Sequence, residues 1–150
     1  MPQTYTSLHY HLVFSTKNRE PSIVPEIRPR LYDYFGGLVC GEGGTLLTVG
    51  GIADHIHLLV RLRQDRALSD VVRVVKTNSS KWAHETFPDL RPVWWQNGSG
   101  MFAVSRSLVD TVKEYIANQE EHHRTRTFQD EFLNLLIEEE VEFNEKYLWD

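Results

Sequence analysis

Apolar and polar side chains alternate from Ser7 to Ser15, where Leu8, Tyr10, Leu12 and Phe14 interleave with His9, His11 and Val13, and this period of two predicts a strand. Pro25 and Pro29 then open a stretch in which Ile27, Leu31, Tyr34, Phe35 and Leu38 recur at helical spacing, closed by the glycine-rich Gly41-Glu-Gly-Gly44. The runs Thr45–Ile52 and His55–Leu62, separated by Ala53-Asp54, read as a hairpin. Leu68, Val71, Val72, Val75 and Trp82 mark a second helix reaching Phe87-Pro88, with Arg73, Lys76 and Lys81 mostly off its apolar stripe. Val93 to Ser105 reads as a strand interrupted by a turn or bulge at Asn97-Gly-Ser-Gly100. Ser107 offers an N-cap for a helix running to about His123. Thr127, with Asp130 three residues on, begins a final acidic helix carrying Phe128, Phe132, Leu135 and Leu136.

The order strand, helix, strand, strand, helix, strand predicts an α+β fold. It is a ferredoxin-like antiparallel sheet with helices on one face and the first and third strands as central neighbours. Two helices are appended, one bearing Tyr115 and one C-terminal and acidic. At 150 residues with 41% hydrophobic content, one core and one domain spanning 1–150 are expected. No repeat, low-complexity tract or linker divides it.

The formal net charge of -5 argues against a nucleic-acid partner until its distribution is considered. Residues 127–150 hold eight of the 21 acids and only Lys146 of the 16 bases, leaving 13 acids against 15 bases in the main body, 1–126. Within that body Arg61, Arg63, Arg66, Arg73, Lys76 and Lys81 face only Asp65 and Asp70, a segment able to hold a phosphate backbone. The single cysteine, Cys40, excludes an internal disulfide and a multi-cysteine zinc site and is expected to be a small buried apolar group. The N-terminus lacks a basic-then-apolar signal pattern and no apolar run reaches membrane length, so a cytoplasmic protein without membrane contact is expected.

The chemistry concentrates in two places. His55 and His57 lie two apart on a strand and therefore project together, opposite Ile56, Leu58, Val60 and Leu62. Tyr115 and Gln119 lie four apart on a helix and share a face. Two imidazoles and one amide oxygen suit Mg²⁺ or Mn²⁺ better than zinc, since this set has neither thiolate nor carboxylate. A phenol near pKa 10 needs a nearby cation or proton acceptor to act as a nucleophile, and Lys76, Lys113 and the metal are the candidates. His9-Tyr-His11 has the same spacing as the second pair and is assigned to DNA or solvent. Glu120, Glu121, His122 and His123 are further ligand types that an exposed helix end also explains. Trp94, Trp95 and Phe102 are either base-stacking platforms or core.

Five blocks in order make a more specific pattern: Tyr10-His-Leu-Val-Phe-Ser-Thr-Lys-Asn-Arg19, Asp54-His-Ile-His-Leu-Leu59, Lys76-Thr-Asn-Ser-Ser-Lys-Trp82, Trp95-Gln-Asn-Gly-Ser-Gly-Met-Phe102 and Glu114-Tyr-Ile-Ala-Asn-Gln-Glu-Glu-His-His123. Over nearly its whole length the chain resembles the single-tyrosine HUH transposases of small bacterial insertion sequences and their relatives, the REP-associated tyrosine transposases. The resemblance implies a homodimer acting on single-stranded DNA hairpins at element ends. It implies His55, His57 and Gln119 as ligands of Mg²⁺ or Mn²⁺, and Tyr115 as the nucleophile that forms a 5′-phosphotyrosine link and leaves a free 3′-hydroxyl. Lys17, Arg19, Arg61, Arg63, Arg73, Lys76 and Lys81 are the DNA-binding set.

Two departures from the family pattern stand out: the acidic tail, and Ser99 where an aromatic is expected. A rival class, the histidine-triad nucleotide hydrolases, places its third histidine where this chain has Leu59. A domesticated, inactive descendant that binds DNA or RNA hairpins as a regulator is the other alternative.

Overall fold

The computed structural model describes residues 3–150. Strands β1 (His9–Ser15), β2 (Thr45–Ile52), β3 (His55–Arg61) and β4 (Gly100–Val104) form one sheet in the order β2-β3-β1-β4. Every pairing is antiparallel, and β1 and β3 are the central neighbours. This is the ferredoxin-like arrangement, with helices α1 (Arg28–Gly41) and α2 (Leu68–Thr86) in the two crossovers. Among the described residues no helix is long and apolar enough to cross a membrane.

Register separates the two faces of the sheet. Leu12 sits opposite Leu58 and Phe14 opposite Ile56, and these side chains join Leu31, Phe35, Val71 and Val75 in the main core beneath α1 and α2. The alternate positions carry His9, His11, Val13 and Ser15 on β1, and His55, His57 and Leu59 on β3, all directed to the other face. That face is covered by α3 (Val109–Ala117), the short α4 (Gln119–His122) and α5 (Phe128–Glu138). Ile116 and Val109 pack on Leu59, while Phe128, Phe132 and Leu136 pack on Val13 and Phe102.

Two glycines allow this close cover. A Cβ at Gly50 on β2 would lie 2.3 Å from the Ile116 carbonyl oxygen, so α3 rests directly on strand backbone. A Cβ at Gly100 would meet the Phe102 and Phe132 rings at 3.0 and 3.1 Å.

Several expectations need correction. The strand read over Val93–Ser105 pairs regularly only over Gly100–Val104, with an isolated bridge from Trp95 to Thr16, because residues 96–99 turn away to meet Lys76. Ser107 does not cap a helix: it lies in a 3-10 turn with its hydroxyl against Ser105, and α3 starts at Val109. The helix expected through His123 breaks at Asn118 into α3 and α4. Cys40 is exposed near the C-terminus of α1, on the side away from Leu31, Phe35 and Val39. Thr127 does cap α5, accepting from the Asp130 amide at 3.2 Å. Within the acidic segment Trp149 meets the Phe128 and Phe132 rings, and the segment packs on the body where Phe128 and Phe132 join Val13 and Phe102 and where Trp149 lies under the Arg19 guanidinium.

Candidate metal and nucleophile site

His55 and His57 are fully buried on the face covered by α3, α4 and α5. Their outer nitrogens are set by neighbours. His55 Nδ1 donates to Asp54 Oδ1 at 2.8 Å, which leaves Nε2 directed at Gln119 Oε1 2.9 Å away. His57 Nδ1 and His11 Nε2 share a hydrogen bond of 2.8 Å. The contact follows from register: His57 pairs with Val13, so His11 is its diagonal neighbour on the same face, within ring reach. His9 and His11 are therefore buried rather than turned to solvent or DNA, and His11 holds His57 in place. Such acceptors and donors behind an imidazole fix which nitrogen faces a metal.

Tyr115 arrives from α3 of the same chain, its ring centroid 5.8 Å from that of His57. The break at Asn118 does not separate it from Gln119, because the Asn118 amide still bonds the Glu114 and Tyr115 carbonyls and the helical path continues. Gln119 is only 1% exposed. The expected nucleophile and all three expected ligands thus converge within one polypeptide.

The centre of the group is a residue that sequence reasoning missed. Glu131, on α5 and 2% exposed, places Oε1 2.9 Å from His57 Nε2, 3.3 Å from His55 Nε2 and 3.1 Å from His123 Nε2. Its Oε2 accepts from Gln119 Nε2 at 3.0 Å and from the Tyr115 hydroxyl. A donor set assumed to lack a carboxylate therefore has one. A signal existed: Glu131 falls three residues after Phe128 and four before Leu135, inside the apolar stripe of its helix. His123 also turns inward, whereas Glu120 pairs with Arg28 and Glu121 with Arg124 at the surface.

Electrostatics follow burial and these contacts. Burial alone would lower His55, but hydrogen bonds to Asp54, Glu131 and Gln119 raise it to about 9. Burial and the neighbouring His57 push His11 down to about 3, and burial lowers His57 itself. Burial and the Glu131 carboxylate drive Tyr115 well above the usual phenol range. Burial would raise Glu131, yet its hydrogen bonds to His123, His55 and His57 hold it far below the ordinary carboxylate value. Imidazole Nε2 atoms, an amide oxygen and a carboxylate gathered this tightly fit a divalent cation: the ligand atoms of His55, His57 and Glu131 lie within 4.8 Å of one another. A cavity of about 290 Å³, lined by His11, Val112, Tyr115, His122, Arg126 and Glu131, opens onto the tyrosine.

The expected DNA-binding residues do not form one surface. Arg73, Lys76 and Lys81 line an open cleft of about 650 Å³ together with Trp94, Trp95 and His84. Trp94 is exposed there against His84, while Trp95 packs edge-on to Phe14 and Phe102 is core. Lys76 is committed to structure: its ammonium meets the Gln96 and Gly98 carbonyls at 2.6 and 2.9 Å and Ser99 Oγ at 3.1 Å, and burial lowers it to about 8. Neither Lys76 nor Lys113 is the acceptor of the Tyr115 hydroxyl, which is Glu131. Arg61 and Arg63 border a separate small pocket near Thr45, Arg63 pairing with Asp65. Lys17 is exposed, and Arg19 donates to the Trp149 carbonyl at 2.9 Å.

Comparison with known proteins gives the family and the fold. Residues 4–119 match the family model described as Transposase IS200 like. The chain is 26% identical over 117 residues to the ISDra2 transposase TnpA of Deinococcus radiodurans, covering 75% of this chain and 84% of that one. A crystal structure of a candidate transposase from Deinococcus radiodurans R1 superposes with a TM-score of 0.63 at 25% identity, covering 79% of this chain and 96% of the other. A REP-associated tyrosine transposase bound to a REP hairpin shares the fold at a TM-score of 0.61 and 15% identity, over 82% of this chain and 73% of its own.

Proposed function

The chain belongs to the family of IS200-like transposases, and from that premise we propose that it cuts and rejoins single-stranded DNA at hairpin-bearing ends through a 5′-phosphotyrosine link made by Tyr115. The observation that carries this reading is the meeting of Tyr115 with His55, His57 and Gln119 around one buried point of a single chain. A hairpin as substrate is supported by the fold-level relative whose structure holds a REP hairpin. His55, His57 and Gln119 would hold Mg²⁺ or Mn²⁺, and the chemistry such an ion would supply there is polarisation of the scissile phosphate.

The chain's own residues account for the rest. Tyr115 Oη forms the new bond to phosphorus while the bond from phosphorus to the 3′-oxygen breaks. The phenol proton leaves along its hydrogen bond to Glu131 Oε2 and is relayed through water to the departing 3′-oxygen, so the step neither gains nor loses a proton overall. The phosphodiester's energy stays in the tyrosine link, so attack by another 3′-hydroxyl returns the proton and joins new ends. Asp54 and His11 keep the imidazoles oriented throughout. Arg73 and Lys81, flanking exposed Trp94 in the open cleft, are the residues placed to hold the strand. Because one chain completes the site, the expected homodimer serves to hold two DNA ends, and light scattering of the purified protein should report twice the chain mass.

The deciding experiment mixes the protein and Mn²⁺ with end-labelled single-stranded DNA from the regions flanking its own gene, followed by a denaturing gel. A covalent adduct in wild type that is missing from Tyr115→Phe is expected. Clear DNA binding with no adduct from any flanking hairpin would overturn this reading in favour of a binding-only descendant.

A further inference from the structure

We propose that Glu131 and His123, both beyond the segment matched to the family, are resident ligands of the cation; this rests on the reading that His55, His57 and Gln119 hold one. The first support is the convergence of ligand atoms. His55 Nδ1 donates to Asp54 Oδ1 and His123 Nδ1 to the Arg126 carbonyl at 2.7 Å, so each ring is held with its Nε2 turned inward. The Nε2 atoms of both rings then point at Glu131 Oε1, 3.3 and 3.1 Å away, and the first also points at Gln119 Oε1. With His57 Nε2 2.9 Å from the same oxygen, three imidazole nitrogens converge on one buried carboxylate, beside an amide oxygen of ligand type. The backing of each ring by its own acceptor is how metal-bound imidazoles are oriented.

The second support is mechanical. A carboxylate that merely blocked the site until DNA arrived would sit on a segment free to leave. Glu131 sits instead on a helix whose Phe128, Phe132 and Leu136 are buried against the sheet. Thr127 caps that helix, and the bare Cα of Gly100 makes room for Phe132. The tail beyond it is pinned where the Asn97 amide meets the Asp150 carbonyl at 3.2 Å and Arg19 meets Trp149. With Oε1 toward the ligand nitrogens and Oε2 on the Tyr115 hydroxyl, the same carboxylate also fixes the nucleophile relative to the cation.

The test is Mn²⁺ binding to the full chain without DNA, followed by calorimetry and by the loss of free-ion EPR signal. Glu131→Gln should weaken binding by about tenfold or more, His123→Ala by less, and His57→Ala should abolish it. Unchanged or tighter binding by Glu131→Gln, or a loss smaller than tenfold, while His57→Ala still abolishes it would overturn the role of Glu131 and leave the three-ligand cation site standing. Equal binding by wild type and His57→Ala, or none by either, would remove the cation reading and this proposal together. Wild-type protein labelled with ¹³C at the glutamate carboxyl gives an answer independent of any variant's folding. A carbon hyperfine coupling to bound Mn²⁺ is expected, and its absence would sink the proposal.

Discussion

The two faces of the sheet are built from the same strands by opposite means. Toward α1 and α2, Leu12, Phe14, Ile56, Leu58 and Val60 are buried among apolar side chains, and stability there scales with area removed from water. Toward α3 and α5, the alternate residues put His11, His55 and His57 in equally dry surroundings, but each imidazole has a specific polar partner. The first face tolerates exchange of one apolar shape for another of similar volume. On the second, a neighbour's donor or acceptor cannot be removed without stranding a buried polar group. The two His-x-His pairs make the same point: identical in spacing and nearly equal in burial, one meets Gln119 and Glu131 directly while the other touches that group only through the bond of His11 to His57 Nδ1.

The comparison breaks most completely at Tyr115. Tyr115→Phe should lower DNA cleavage by at least about 10³-fold, roughly 4 kcal/mol of transition-state stabilisation, while circular dichroism stays native. Residual cleavage within tenfold of wild type, read by labelled-strand assay, would mean another nucleophile. On the opposite face, Phe14→Ala should cost about 3–5 kcal/mol in urea unfolding without touching any site residue. A cost below about 1 kcal/mol would show that the main core is looser than its packing implies.

How much of this was readable from residues alone differs between the faces for a physical reason. Alternation along β1 and β3 announces the apolar face directly, because period-two burial is a local property, and the five-block pattern placed Tyr115, His55, His57 and Gln119 together. His11 needed register: only the antiparallel pairing of β1 with β3 makes it a diagonal neighbour of His57. Glu131 was hidden by company, one acid among eight in residues 127–150 and distinguished from them by burial. Cys40 and Ser107 were misjudged because burial of a lone small residue and the start of a helix depend on neighbouring turns.

A subtler difference between the faces lies in their response to acid. His11 is pushed down to about 3, below its ordinary 6.5, so its contribution to stability is complete above pH 6.5 and is lost as pH falls toward 3. The loss amounts to ~1.4 kcal/mol for each pH unit below 6.5. His55, raised to about 9, contributes in the opposite sense: fully below pH 6.5, and lost as pH rises through 9. The stability advantage of wild type over His11→Gln should therefore shrink by ~2 kcal/mol between pH 7 and pH 5 in urea melts. A difference that does not change with pH would mean that His11 takes up its proton freely. Smallest of all, replacing the exposed Arg73 and Lys81 by Ala should leave stability within about 0.5 kcal/mol, since their pairs with Asp70 and Glu85 are solvent-screened. The same double variant should weaken strand binding and flatten its salt dependence, and an unchanged salt slope would place the DNA elsewhere.

Gly50 contributes no contact chemistry, yet it decides how far apart the reacting groups stand. The helix bearing Tyr115 rests its Ile116 carbonyl on that bare strand position, where a Cβ would intrude to 2.3 Å. The spacing between hydroxyl and imidazoles is thus gauged by the thickness of two backbones in contact, a dimension that side-chain motion does not alter. A single methyl at position 50 would act as a wedge, lifting one end of the helix while leaving the apolar side of the sheet untouched. Alignment in this molecule is a tolerance held by an absence of atoms.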